Sequence, residues 1–133
     1  MTPRIEAELA LVRKYFSDVE YFESGGNEWI RLPNFRLPVG IWSNEMCDIC
    51  FQIPKGYPGQ APYGFYVKDG LRIRGNNQTP TSYTETGETP FGGTWGKFSW
   101  QVDGTWQPTA DVHSGSNLIS FIRSFIDRLL EAN

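Results

Sequence analysis

IPKGYPGQAPYGFYV, the stretch from Ile53 to Val67, decides how the rest of the chain is read. It follows an alternating segment, Met46 to Ile53, and it ends in a second short apolar segment, Phe65 to Val67. Alternation with period two predicts a strand with one buried face. Pro54, Pro58 and Pro62 stand between the two segments. Proline has no backbone N–H and a fixed φ, so these residues belong to a stiff, ordered connection rather than to the interior of a sheet.

Upstream, Thr2-Pro3 is a helix-start signal, a hydroxyl cap before proline at the first helical position. Ile5, Leu9, Val12 and Phe16 then recur at the spacing of an amphipathic helix. Gly25-Gly26-Asn27 marks a turn, and Trp29 to Leu32 is an extended segment broken at Pro33-Asn34. A short apolar stretch, Phe35 to Ile41, is interrupted by Pro38 and Gly40. Downstream, Asp69-Gly70 forms a turn before Leu71-Arg72-Ile73. Gly75 to Gly93 is rich in Asn, Thr, Ser, Gly and Pro with neither helical nor strand period, and so reads as a functional loop or flap over the following window. Trp95, Phe98 and Trp100 are aromatic anchors, and Leu118 to Leu130 carries an apolar stripe broad enough to pack on a sheet. Helix, strands, long irregular region, helix is the order of an α+β domain with an antiparallel sheet, a single domain over residues 1–133.

Composition narrows the function. The net charge is -3, and the Lys and Arg residues are scattered rather than gathered on one face, which argues against nucleic acid as a partner. No apolar run reaches the roughly 18 residues of a membrane span and no signal peptide opens the chain, so a cytoplasmic location is expected. Cys47 and Cys50 are the only two cysteines and His113 the only histidine, too few to complete a zinc site, so no metal is expected. Residues three apart on a strand face opposite ways. Cys47 is expected in the core with Ile49, Phe51 and Ile53, and Cys50 on the other face with Asp48 and Gln52, as a spare thiol whose replacement by serine is nearly silent.

The element order, together with Leu32-Pro33-Asn34-Phe35, Leu37-Pro38, Gly56-Tyr57-Pro58, Pro62, Phe65-Tyr66, Gly93-Thr94-Trp95, Ser99 and Trp106-Gln107-Pro108, resembles the ubiquitin-conjugating (UBC-like) superfamily. Within it the likeness is to a bacterial branch, the prokaryotic UBC-like family E, and covers nearly the whole chain. The resemblance implies a UBC-like fold: N-terminal helix, antiparallel meander, long active-site loop, and C-terminal helix on the sheet. It implies a ubiquitin-like protein and its activating enzyme as partners, a JAB-type peptidase as a further one, and no cofactor. It also implies partner contacts at Tyr57, Pro58, Pro62, Trp95 and Trp106, although core packing is the competing role for each tryptophan.

An ordinary conjugating enzyme holds its partner as a thioester on a cysteine shortly before a Trp-x-Pro element. Here the window from Thr94 to Gln101, ahead of Trp106-Gln107-Pro108, contains no cysteine. Ser99 stands seven positions before Trp106 and is the candidate nucleophile, forming an oxyester. A serine needs a base, and relatives offer a histidine where this chain has Gln101. Asp103, Lys97, Glu85, Glu88 or His113 are the substitutes within the chain, and a partner is the source outside it; for His113, just ahead of the last helix, a cap or surface role competes. Two rivals stand beside this reading. One is a catalytically inactive scaffold of the same fold, comparable to RWD-like adaptors; the other is an aromatic-rich module that binds sugar or peptide.

Overall fold

The computed structural model describes residues 1–102 and 104–133. Helix α1 (Pro3–Arg13) begins at Thr2, whose hydroxyl accepts the Ile5 N–H at 3.1 Å. Six strands follow: β1 (Glu20–Ser24), β2 (Asn27–Arg36), β3 (Met46–Ile53), β4 (Phe65–Lys68), β5 (Tyr83–Thr84) and β6 (Trp95–Phe98). Helix α2 (Leu118–Leu129) closes the chain with an Asn117–Ser120 capping box. The strands form one antiparallel sheet in the order β1-β2-β3-β4-β6-β5. The α+β class, the helix–meander–helix order and the open antiparallel sheet are those expected.

The helices bury one face of the sheet. Phe51 and Phe65 of the strands meet Phe121 and Phe125 of α2 with ring centroids 4.3 to 5.8 Å apart, and Phe98 stacks on Phe65 at 5.0 Å, with Ile5, Leu9 and Val12 of α1 in the same core. Burying aromatic rings of this size is the main driving force available to a chain of this length.

Pro33-Asn34 does not end its strand. The register of β2 on β3 shifts between Leu32 and Phe35, a bulge in which Asn34 takes φ +53° and donates its N–H to Asp48 Oδ1 at 3.0 Å. A bulge absorbs a residue that lacks an N–H without terminating the pairing.

The stretch from Gly75 to Gly93 corrects the expectation in two ways. It contains β5, which pairs with β6 through Tyr83 and Thr84. Its earlier part abuts the Ser99 window, Ser82 O accepting the Ser99 N–H at 2.9 Å, while its later part leaves Ser99 exposed and crosses the face of the sheet opposite the helices. Phe91 rests there against Phe22, Trp29 and Trp95, with ring centroids at 5.4, 6.4 and 6.0 Å, and the Arg31 guanidinium lies over it. Cys50 lies beneath this second cluster and is fully buried beside Trp29 and Trp95. The expected spare thiol is therefore a core thiol of the outer face. The alternation of β3 places its side correctly, but cannot reveal that another segment covers that side.

Candidate functional site

The proline-rich connection and the Trp106-Gln107-Pro108 element come together in the fold. Trp106 Nε1 donates to the carbonyl of Pro58 at 2.7 Å, and the Trp106 and Tyr57 rings lie 6.1 Å apart. The connection is internally tied by Tyr57 N–H to Pro54 O and Gln60 N–H to Gly56 O, both 3.0 Å. Its far end reaches the candidate window: Gly64 N–H donates to Trp100 O at 2.7 Å. Gly64 has φ +77°, and a Cβ there would lie 3.0 Å from the Phe98 carbonyl, so this approach requires glycine.

A buried carboxylate anchors the assembly from below. Glu8 is 1% exposed; it accepts the Tyr57 hydroxyl and the Leu118 N–H on Oε1, each at 2.6 Å, and Arg4 Nε on Oε2 at 2.7 Å. Leu118 is the first residue of α2, so the carboxylate sits where the helix exposes an unsatisfied N–H and its positive dipole end. Arg4 also donates to the Thr109 carbonyl, beyond the Trp106 element. Burial, followed by the bond to Glu8, raises the Tyr57 hydroxyl above its ordinary pKa, keeping it a donor. Sequence reasoning missed Glu8 and Arg4. The available signal was position 8, inside the Ile5–Leu9–Val12 stripe.

The expected contact residues divide by burial. Tyr57, Pro62 and Trp95 are buried, so they shape the loop and the outer-face cluster instead of offering contact surface. Pro58 and Trp106 are half-buried and reach solvent. Tyr63, absent from the expected set, is 58% exposed on the same connection.

Ser99 follows β6 directly and is exposed. Its N–H donates to Ser82 O at 2.9 Å, and among the described residues its hydroxyl has no hydrogen-bond partner. Trp100 turns the other way, donating Nε1 to Ser124 Oγ of α2 at 3.0 Å, and so fixes the window on the helix. Gln101 is exposed; Asp103 lies outside the described residues. Among the described residues, the proposed bases are not assembled around the serine. Lys97 Nζ lies 5.3 Å over the Tyr66 ring on the outer face, and Glu85 pairs with Arg72. Glu88 is exposed and makes no hydrogen bond among the described residues. His113 is bound to Asp111, whose carboxylate accepts its N–H at 2.9 Å and faces its Nδ1 at 3.2 Å. Those bonds hold Asp111 below the usual carboxylate pKa.

Neither cysteine substitutes for Ser99. Cys47 and Cys50 occupy opposite faces of β3 and are both buried. Burial raises the Cys47 thiol to about 12 and raises Cys50 as well, the opposite of what a nucleophilic thiol needs. Among the described residues no helix is long and apolar enough to cross a membrane.

Comparison with curated proteins and with solved structures gives no match. One family model does match, over residues 7–131, a span that takes in the Tyr57-Pro58 connection, the Ser99 window and the Trp106 element just described. By that match the chain belongs to the prokaryotic E2 family E.

Proposed function

We propose that this chain receives the C-terminus of a ubiquitin-like protein from an activating enzyme and holds it as an oxyester on Ser99. The observation that carries the reading is the Trp106 Nε1 bond to Pro58 O, which joins the proline connection to the Trp106 element, while the far end of that connection bonds Trp100, next to the exposed Ser99. In the step envisaged, Ser99 Oγ attacks the thioester carbonyl presented by the activating enzyme. A C–O bond forms, the C–S bond breaks, the enzyme's thiolate leaves, and the serine proton passes to a base. No described side chain bonds the Ser99 hydroxyl, so in this reading the base is either Asp103 or a group of the partner. A JAB-type peptidase acting on the same ubiquitin-like protein completes the expected set of partners, with the reaction in the cytoplasm.

A second reading has its own support. That no described side chain stands as a base at Ser99 favours a scaffold that positions the ubiquitin-like C-terminus without a covalent bond. Incubating the chain with activating enzyme, ATP and the ubiquitin-like protein separates the two. The oxyester reading expects an adduct that survives thiol reductant, is cleaved by hydroxide, disappears in Ser99→Ala and becomes reductant-sensitive in Ser99→Cys. An adduct that persists in Ser99→Ala refutes this nucleophile, and non-covalent binding without any adduct establishes the scaffold.

A further inference from the structure

A separate pocket lies where the connection between β2 and β3 meets the loop after β4. It holds about 220 Å³, and its polar lining is Arg36, Asn44, Glu45 and Arg74; Pro38 and the exposed Val39 form an apolar edge. The frame is fixed by backbone bonds. Leu37 N–H donates to Glu45 O, Ser43 N–H to Arg72 O and Arg74 N–H to Ile41 O, at 2.9, 3.0 and 2.8 Å. Trp42, fully buried behind it, donates Nε1 to Leu129 O at 2.8 Å, locking the connection to the end of α2.

The chemistry of the lining is unusual for an acidic chain. Arg4, Arg31, Arg72 and Arg128 each pair with a carboxylate. Arg36 and Arg74 make no ion pair among the described residues, yet they line one cavity. Arg74 Nε donates to Trp42 O at 3.1 Å, which orients the guanidinium and leaves both terminal nitrogens without hydrogen-bond partners among the described residues. A guanidinium held by one edge and open at the other suits two-point recognition of a carboxylate. Beside it Val39 is 97% exposed, and Met46, paired across the strands with Arg36, is 46% exposed. Apolar side chains rimmed by two cations match an acidic segment that also carries apolar residues, more closely than they match a bare anion.

We propose that this pocket docks an acidic peptide segment of a partner protein, its carboxylate held by Arg36 and Arg74 and its neighbouring apolar side chain lying on Pro38 and Val39. Glu45 at the rim opposes the carboxylate and sets an upper limit on affinity. The site is independent of Ser99 and does not rest on the oxyester reading.

The test titrates the isotope-labelled full chain with the peptide acetyl-Glu-Leu-Glu-Leu-amide and follows backbone amide shifts. Shifts centred on residues 36–45 and 72–74 are expected, with binding that weakens as salt is added. Arg36→Gln and Arg74→Gln should each weaken binding about tenfold, the size of one lost charge-assisted hydrogen bond. Glu45→Gln should strengthen it. Arg36 makes no side-chain hydrogen bond among the described residues, so Arg36→Gln tests the site even if Arg74→Gln perturbs the loop. The proposal is overturned by an absence of shifts here, by equal binding of acetyl-Gln-Leu-Gln-Leu-amide, or by unchanged binding in Arg36→Gln. Equal binding of inorganic phosphate would make this a simple anion site, and tighter binding of a short oligonucleotide would make the partner a nucleic acid; either result also overturns it.

Discussion

Tyr57 donates its hydroxyl to Glu8 Oε1 at 2.6 Å, and the same oxygen receives the first N–H of α2. One carboxylate thus joins the N-terminal helix, the proline-rich connection and the last helix. Removing the donor with Tyr57→Phe takes away a charge-assisted hydrogen bond without opening a cavity, and should cost about 1.5–3 kcal/mol. Glu8→Gln should cost more, because its amide must replace a carboxylate that accepts from Arg4, Tyr57 and Leu118 together. Urea denaturation of both variants and of the double variant checks this; the double variant should fall short of the sum, since the residues share one network. Strict additivity would mean that the two side chains do not act through this bond.

Cys50 is expected to behave as a core residue. Cys50→Ser places a hydroxyl beneath Trp29 and Trp95, where it lacks water, and should lower stability by about 1–3 kcal/mol. Urea midpoints settle the point. A silent substitution would mean that the Phe91 segment does not cover this face in solution.

The buried thiols also predict an alkaline dependence. Both are raised above 9.0 by burial, so from about pH 9 upward the unfolded chain releases thiol protons that the folded chain retains. The unfolded state then binds fewer protons, and the free energy of unfolding falls as pH rises toward 12. The slope should approach about 1.4 kcal/mol per pH unit for each thiol. The double variant Cys47→Ala/Cys50→Ala should flatten this slope between pH 9 and 10, before tyrosine ionisation dominates. Identical slopes in parent and variant would show that the thiols are not the cause.

What the sequence makes legible follows from how far each signal reaches. The proline connection, both helices and the inward face of β3 are encoded by local periodicity and by residues with only one permitted conformation, and all appear as expected. Strand β1 was not legible, because Glu20-Tyr-Phe-Glu-Ser24 lies at a sheet edge and has no buried alternation. The cover over Cys50 depends on Phe91, some forty positions away and without any local pattern. At the candidate site, the family resemblance singles out Ser99 and Trp106, and the structure shows Ser99 exposed and Trp106 half-buried. The Glu8 network could not be placed, because it joins residues from three distant segments.

Gly96 tests how β5 docks on the sheet. A Cβ at this position would overlap the Tyr83 ring and hydroxyl, and that hydroxyl accepts the Leu71 N–H at 3.1 Å. Gly96→Ala therefore has to displace Tyr83 and should cost about 1–3 kcal/mol, the usual range for overpacking. In a Tyr83→Ala background the same change should cost far less. Thermal melts of the four proteins in this cycle measure the coupling, and an equal cost in both backgrounds would place Tyr83 elsewhere.

Trp106→Phe separates the posture of the proline connection from its stability. Phenylalanine keeps an aromatic ring near Tyr57 but loses the Nε1–H that holds Pro58 O. Pro58 is half-buried, so its carbonyl can turn to water, and the loss should be only about 0.5–1.5 kcal/mol. The loop bonds at Tyr57 N–H and Gln60 N–H should nevertheless exchange faster, while the β3 amides keep their protection. If the joined elements present the partner surface, affinity for the activating enzyme should fall by more than this stability change accounts for. Amide exchange and a binding titration on the same variant provide both readouts. Unchanged loop protection together with unchanged affinity would remove the Trp106–Pro58 bond from the functional argument and leave it a packing contact.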